Sequence, residues 1–294
     1  MSWLNKSNKS NKSSVANKSD LAELDLAGQS SSLMLTEALE TAARALDVAI
    51  ATPCSVQIKT GTPNYLKLNE RHLNEALATE LWGVVPAVDD LIKQVDRAPG
   101  TNPTSKVVLK YTPAQWTGQL EALRVLRYSR SKRLAEIYLQ QTDLISFLAQ
   151  PIGISSETHP RLIQLLEAAW TVAFRISVQL KLKFSTPRPI QLAPDMAPVI
   201  QTPAHSSFPA GHAIEAQVLA MIMSHFFPDA KAMLDRAADR VGQNRLYAGV
   251  HFPVDVSWGK ACGAYLGEKL ISRINQGSAY PALHVISAAA KAEC

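Results

Sequence analysis

Cysteine is scarce in this chain, and its three cysteines form no recognisable motif. Cys54, Cys262 and Cys294 are far apart and irregularly spaced. A structural zinc site would need a CxxC pair or a matching set of histidines, and neither is present. An odd number of widely spaced thiols also argues against a disulfide framework. The sequence therefore predicts no metal site and no stabilising disulfide.

Long uninterrupted hydrophobic segments are also lacking, although 47% of the residues are hydrophobic. Charged residues interrupt every helical apolar stretch before it reaches the roughly 20 residues that a membrane span needs. The N-terminus contains no apolar core of signal-peptide length. We therefore expect a cytoplasmic protein without a membrane span.

Neither sign of charge dominates the composition. Lys and Arg together number 30 and Asp and Glu 25, which gives a formal net charge of +5. This surplus is too small to require a polyanionic partner, so we expect no interaction with nucleic acid. A chain of 294 residues with this hydrophobic content is long enough to bury a substantial core.

The beginning of the chain differs in composition from the rest. The tripeptide Asn-Lys-Ser occurs four times between Asn5 and Ser19, where almost no side chain is apolar. Such a segment cannot bury enough surface to fold. We predict a disordered polar tail at 1–25 and a single α-helical domain at 26–294, with a catalytic core at about 113–275.

Helical periodicity covers most of the predicted domain, whereas strand-like alternation is scarce. Residues 55–70 and 99–103 are rich in turn-forming residues and are interpreted as loops. Amphipathic helices of this kind pack into a bundle and also permit a homodimer. The predicted helices are 33–50, 70–82, 86–96, 113–141, 159–184, 211–226, 229–249 and 253–274.

A first candidate motif lies where the helix predicted at 159–184 ends. Lys181 precedes Arg188 by seven residues, and Pro187 and Pro189 stop the helix between and after them. We expect this rigid stretch to bring the guanidinium group back beside the ammonium group. A guanidinium fork and a point charge can bind one oxyanion together. Taken alone, a Lys and an Arg at this spacing are usually two solvated surface charges.

A second candidate motif, Pro209-Ala210-Gly211-His212, directly precedes an apolar helical run. The free amides at the start of a helix form an anion cradle, and Gly211 lets the backbone approach a ligand closely. His212 is then placed to donate a proton to a leaving oxygen. The alternative is that His212 only caps or packs the first helical turn.

The third candidate motif contains Arg245, His251 and Asp255. A separation of four residues in a first helical turn brings the His251 imidazole next to the Asp255 carboxylate. The carboxylate would fix the tautomer, so that the other ring nitrogen faces a substrate as a nucleophile. Arg245 can supply a second bidentate contact to an anion. Alternatively, His251 caps the helix and pairs with Asp255 for structural reasons.

Together, the three motifs resemble the signature of the type 2 phosphatidic acid phosphatase and vanadium haloperoxidase superfamily. That signature reads Lys-x6-Arg-Pro, Pro-Ser-Gly-His and Ser-Arg-x5-His-x3-Asp, and the resemblance covers about residues 160–270. It implies an all-α helical bundle of the acid phosphatase/vanadium haloperoxidase type. Two positions depart from the signature, because Ala210 and Asn244 stand where the family has serine. Loss of the first hydroxyl is expected to weaken oxyanion binding by about 1 to 3 kcal/mol.

The resemblance also implies a role for each motif residue. His251 would attack phosphorus to give a phosphohistidine, Asp255 would orient it, and His212 would protonate the departing alcohol. The oxyanion-binding groups would be Lys181, Arg188, Ala210, Gly211 and Arg245.

Two chemistries are compatible with this resemblance, because bound vanadate adopts the geometry of a phosphoryl-transfer transition state. We favour hydrolysis of a small-molecule phosphate ester without a cofactor, since His251, Asp255, Gly259 and Gly263 resemble the ending of bacterial phosphatases. In the alternative, His251 would ligate vanadium, and the protein would use vanadate as a cofactor to oxidise halide with hydrogen peroxide. A further alternative is a non-catalytic oxyanion-binding protein.

Overall fold

The computed structural model describes residues 65–294. The predicted tail at 1–25, the predicted helix at 33–50 and most of the predicted loop at 55–70 lie outside the described residues. The domain limits of 26–294 therefore stay a prediction.

Helices dominate the described part of the chain, which contains no β-strand. This confirms the predicted all-α class. The twelve α-helices within residues 65–294 are α1 (Glu70–Trp82), α2 (Val88–Arg97), α3 (Ser105–Val108), α4 (Pro113–Arg127), α5 (Leu134–Thr142), α6 (Leu144–Ala149), α7 (Pro160–Lys183), α8 (Pro189–Leu192), α9 (Gly211–Phe226), α10 (Lys231–Tyr247), α11 (Pro253–Ile274) and α12 (Pro281–Glu293).

The helices whose ends carry strong sequence signals have the predicted bounds. Helices α1, α9 and α11 match the predicted ranges, and α7 differs by one residue at each end. Proline occupies the first helical position of both α7 and α11, where its missing N–H costs no hydrogen bond. Helix α12 was not predicted. Its first-turn amides at Ala282 and Leu283 donate to the Glu80 carboxylate of α1.

The prediction of one continuous helix at 113–141 is wrong. Helix α4 ends at Arg127, a 3-10 turn follows at Arg130–Arg133, and α5 then begins. Arg130 Nη1 donates to the carbonyl oxygen of Ala197 at 2.6 Å, and its Nη2 donates to that of Met196 at 3.1 Å. These two hydrogen bonds hold the segment at 130–133 against residues 196 and 197, so the chain does not continue as one helix.

Helix α9 is the centre of the bundle, because α7, α10 and α11 all pack against it. Its buried side chains include Ile214, Val218, Leu219 and Ile222 and are distributed around the helix. A helix that is apolar on all sides belongs in the interior of a protein. The first turn of α9 is therefore enclosed by its neighbours.

Glycines let α11 approach α9 unusually closely. A Cβ atom added to Gly259 would lie 2.7 Å from the Ala210 carbonyl oxygen, and one added to Gly263 would lie 2.6 Å from that of Ile214. The two contact pairs advance in the same direction along both helices. Helices α9 and α11 are therefore parallel, and their N-termini lie at the same end of the bundle.

We predict that Gly263→Ala destabilises the protein relative to a matched glycine substitution. The new methyl group would overlap backbone atoms that cannot move independently, an effect that typically costs about 1 to 3 kcal/mol. The control is Gly118→Ala in α4, since nothing lies within 4 Å of its added Cβ. Both changes gain helix propensity, so the difference between their free energies of unfolding isolates the overlap. Equal unfolding free energies in chemical denaturation would contradict the close approach.

Candidate active site

Lys181 occupies the last turn of α7 and is only 8% exposed. Its Nζ donates to the carbonyl oxygen of Pro209 at 2.7 Å and to that of Ser206 at 3.3 Å. Burial and the neighbouring Arg188 guanidinium lower the pKa of Lys181 to about 7. The end of α7 thus presents a buried ammonium group that main-chain carbonyls hold in place.

Arg188 follows the end of α7 and lies beside Lys181, as the proline-bounded spacing predicts. Its Nη2 donates to the carbonyl oxygen of Ser206 at 3.3 Å, which Lys181 also contacts. Its Nη1 donates to the carbonyl oxygen of Val250 at 2.7 Å and lies 3.3 Å from Nε2 of His251. Burial lowers the pKa of Arg188 to about 10, so the group stays charged at neutral pH.

Thr186 fixes the chain that leads into α9. Its hydroxyl accepts a hydrogen bond from the Phe208 amide at 2.9 Å, and its carbonyl oxygen accepts one from the Ser207 amide at 3.2 Å. The Phe208 ring packs against Phe184 and Trp258, with both centroid distances at 5.1 Å. The Pro-Ala-Gly-His motif is therefore held against the end of α7.

Helix α9 begins at Gly211, and no side chain caps its N-terminus. Ala210 is the N-cap residue and has no hydroxyl, so the Gly211 and His212 amides are left for a ligand. His212 is partly buried in this turn. Burial and the positive charges of Arg245 and Lys181 lower the pKa of His212 to about 3, so its imidazole is neutral when the site holds no anion.

A tight turn connects α10 to His251. The Val250 amide donates to the carbonyl oxygen of Arg245 at 3.3 Å, and the Gly249 amide donates to that of Leu246 at 2.9 Å. These two bonds form a Schellman motif, which requires a left-handed residue. Gly249 has a φ of 76° and supplies that conformation without a steric penalty. The turn brings His251 back to the end of α10 that carries Arg245.

Arg245 is buried, and only one edge of its guanidinium group is occupied. Its Nη2 donates to the carbonyl oxygen of Ile137 at 3.2 Å and to Oε1 of Gln140 at 3.0 Å, both on α5. Its Nε has no acceptor among the described residues. Burial lowers the pKa of Arg245 to about 10. Part of the guanidinium is therefore free to bind a ligand.

The His251 imidazole is oriented by Asp255 at the start of α11. Oδ2 of Asp255 lies 3.2 Å from Nδ1 of His251 and also accepts hydrogen bonds from the Ser207 hydroxyl at 2.5 Å and the Phe252 amide at 2.9 Å. Because Arg188 can only donate, Nε2 of His251 must accept from it, and the ring proton lies on Nδ1. The lone pair needed for nucleophilic attack is thus on Nε2.

The two partners in this pair have shifted pKa values in opposite directions. Burial raises the pKa of Asp255 to about 6, and hydrogen bonds from Ser207 and Phe252 limit the increase. Burial lowers the pKa of His251 well below its ordinary value, and the positive charge of Arg188 lowers it further. At neutral pH the pair is therefore a neutral imidazole beside a carboxylate.

Several residues around the site were not predicted. Ser207 binds Asp255, and Gln140 binds Arg245. Glu215 is buried one turn into α9 and is the one acidic residue in that helix, a signal that was already present in the sequence. The Asn244 amide donates to Glu136 at 2.9 Å, so this departure from the family signature serves a contact between α10 and α5.

The structure brings the predicted charged groups and histidines together. Arg188 lies 3.3 Å from Nε2 of His251 and shares the Ser206 carbonyl oxygen with Lys181. The positive charges of Arg188, Lys181 and Arg245 contribute to the lowered pKa of His251. Within the described residues, none of the three cations has a carboxylate at ion-pair distance. This excess positive charge suits a tetrahedral oxyanion.

Residues 65–294 contain no group of three or more His, Cys, Asp or Glu side chains suited to a metal ion. None of the described helices is both long and apolar enough to cross a membrane.

The described helices form an all-α bundle, and the candidate oxyanion site lies at the start of its central buried helix. Residues 162–278 match the sequence profile of the PAP2 superfamily, and this segment contains all three motifs. Over this segment, the chain is similar to the PAP2 superfamily.

The comparison with solved structures gives a distant similarity. A transmembrane PAP2-type phosphatidylglycerolphosphate phosphatase from Bacillus subtilis is 19% identical, with 69% of this chain and 94% of that chain covered and a TM-score of 0.32. No curated protein sequence matches the chain.

We predict that a tetrahedral oxyanion raises the melting temperature. An anion that binds only the folded state adds about 2.7 kcal/mol of stability at a concentration of 100 Kd. Arg245→Gln should remove most of the increase that phosphate or vanadate causes. Lys231→Gln is the control, because Lys231 is exposed at the opposite end of α10 and pairs with Asp235. An equal increase in both variants would contradict the assignment of Arg245 to the site.

Proposed function

We propose that this protein is a phosphatase, specifically a phosphoric monoester hydrolase that acts through a phosphohistidine on a small-molecule substrate and needs no cofactor. The observation that carries the proposal is the position of Nε2 of His251. Its lone pair lies beside three buried cations, and Asp255 fixes the proton on the opposite ring nitrogen. This is the arrangement that a nitrogen nucleophile needs to attack a bound phosphoryl group.

In the first half of the proposed reaction, Lys181, Arg188 and Arg245 bind the nonbridging oxygens, assisted by the amides at the start of α9. Nε2 of His251 forms a bond to phosphorus while the bond from phosphorus to the ester oxygen breaks. His212 donates a proton to that oxygen, so an alcohol leaves. Asp255 stabilises the positive charge that develops on the His251 ring.

In the second half, water attacks phosphorus and breaks the bond to Nε2 of His251, which releases phosphate. His212 accepts the proton from water and is ready for the next cycle. For the first half, His212 must bind a proton despite its low pKa in the anion-free site. Positive charge on Arg245 and Lys181 contributes to that low value, so a bound dianion offsets it and raises the pKa of His212.

We predict that His251→Ala lowers phosphate release from p-nitrophenyl phosphate by at least about a thousandfold, because the nucleophile is lost. His284→Ala is the control, since His284 is exposed on α12. Circular dichroism should give the same helix content for both variants and the wild type.

The same assay separates the alternatives. A near-normal rate for His251→Ala would rule out a nucleophilic role. If the wild type loaded with vanadate brominates a dye in the presence of bromide and peroxide but releases no phosphate, the vanadate-dependent haloperoxidase interpretation replaces this proposal. If it binds phosphate and turns over neither substrate, the protein is a non-catalytic oxyanion-binding protein.

We predict that Ala210→Ser tightens vanadate binding by about 1 to 3 kcal/mol, because a hydroxyl donor would be added beside the bound oxygens. Ala204→Ser in the exposed part of the same loop is the control and should leave the affinity unchanged. Vanadate affinity can be measured by inhibition or calorimetry. Unchanged affinity of Ala210→Ser would show that the missing hydroxyl has no role.

A further inference from the structure

Glu215 is a buried carboxyl group at the start of α9 to which the three motifs assign no role. It is 5% exposed, and its Oε2 accepts a hydrogen bond from Nε1 of Trp170 at 3.3 Å. Its Oε1 lies 3.3 Å from the place where a Cβ atom of Gly211 would be. The side chain therefore folds back toward the first turn of α9, as side chains on a helix usually do. Glycine at 211 leaves room for this carboxyl group.

The charged groups that act on Glu215 are the cations of the oxyanion site. Lys181 on α7 and Arg245 on α10 both influence its ionisation. The other two helices in contact with this part of α9 contribute no comparable charge. Helix α11 approaches with glycines, and α6 carries no ionisable side chain. Glu215 is thus coupled to the same two cations that would bind a ligand.

The net charge of the site depends on the protonation state of Glu215. When ionised, the carboxylate offsets one of the positive charges and repels an incoming dianion. When protonated, it leaves the cations uncompensated and becomes a hydrogen-bond donor. A dianion should therefore bind better to the form with a neutral carboxyl group.

We propose that Glu215 takes up a proton when a tetrahedral dianion binds and that this residue thereby determines how oxyanion affinity depends on pH. This inference rests on the proposed function only in that it uses the same oxyanion site; it does not require turnover. Glu215 is a positioning residue in this proposal, because it acts through the charge of the site and not on the reacting atoms.

The direction of the effect follows from the charges. Burial raises the pKa of Glu215 to about 7, and Trp170, Lys181 and Arg245 oppose the increase. A bound dianion neutralises the field of Lys181 and Arg245 and adds negative charge, so it raises the pKa of Glu215 further. Above about pH 7 the free protein has an ionised Glu215 and the complex a protonated one, so affinity falls as pH rises.

Calorimetric titration with tungstate tests this inference, because tungstate is a tetrahedral dianion that does not itself titrate near neutral pH. Measurement at about pH 8 in two buffers with different ionisation enthalpies gives the number of protons taken up. Lys181, with a pKa of about 7, contributes its own uptake in every variant. The relevant quantity is therefore the difference between wild type and Glu215→Gln, which keeps the size and polarity of the side chain.

We expect wild type to take up between about half and one proton more than Glu215→Gln. Between about pH 7 and pH 9, tungstate affinity should fall with rising pH in wild type. This fall should be steeper than in Glu215→Gln by a factor of up to about ten per pH unit. Glu268→Gln on the exposed side of α11 is the matched control and should behave like wild type.

Equal proton uptake by wild type and Glu215→Gln would overturn the inference. Absence of tungstate binding to wild type would overturn both the inference and the oxyanion site on which the proposed function depends. If the difference in uptake is observed but no phosphate ester is hydrolysed, this inference stands and only the proposed hydrolysis fails.

A second variant covers the case in which Glu215→Gln does not fold. Trp170→Phe keeps an aromatic ring but removes the N–H group that stabilises the ionised carboxyl group. The pKa of Glu215 should therefore rise, and the pH at which tungstate affinity begins to fall should move upward. An unchanged midpoint would overturn the inference.

Discussion

Three buried cations, none paired with a carboxylate in the described structure, are the constraint on which the arrangement of the site depends. Lys181 and Arg188 donate to main-chain carbonyl oxygens, and Arg245 donates to a carbonyl oxygen and an amide side chain. Moving such charges out of water is costly, and dipoles offset the cost only in part. Neutral acceptors keep the cations in position without cancelling their charge. The three cations therefore keep an excess of positive charge that a bound anion would offset.

Two buried carboxyl groups lie near the cations and offset part of their positive charge when they are ionised. Asp255 binds His251, Ser207 and the Phe252 amide through a single oxygen, and Glu215 accepts a hydrogen bond from Trp170. Burial raises the pKa of both carboxyl groups, to about 6 and about 7 respectively. Both can therefore become neutral at modest energetic cost. This limits the repulsion that a dianion meets inside the bundle.

The sequence predicted the local geometry of the candidate site well where that geometry depends on short spacings. Gly211 and Pro253 mark the starts of α9 and α11, and the four-residue separation brings His251 to Asp255. Interactions between distant segments were not predictable in this way. Gln140 reaches Arg245 across 105 positions, and Arg130 interrupts the predicted 113–141 helix through bonds to residues more than 60 positions away. Such contacts depend on packing, which periodicity does not encode.

Asp255 contacts both the proposed nucleophile and the start of α9, the first through its side chain and the second through its main chain. Its side chain orients His251, while its main-chain oxygen accepts a hydrogen bond from the Ala210 amide at 3.0 Å. The close parallel packing of α9 and α11 reinforces this link, since glycine at 259 leaves no side chain between α11 and the Ala210 carbonyl oxygen. The cradle is therefore positioned by backbone contacts, which do not depend on a hydroxyl group at position 210. Replacing the family's serine with alanine removes a donor but leaves the geometry of the remaining donors in place.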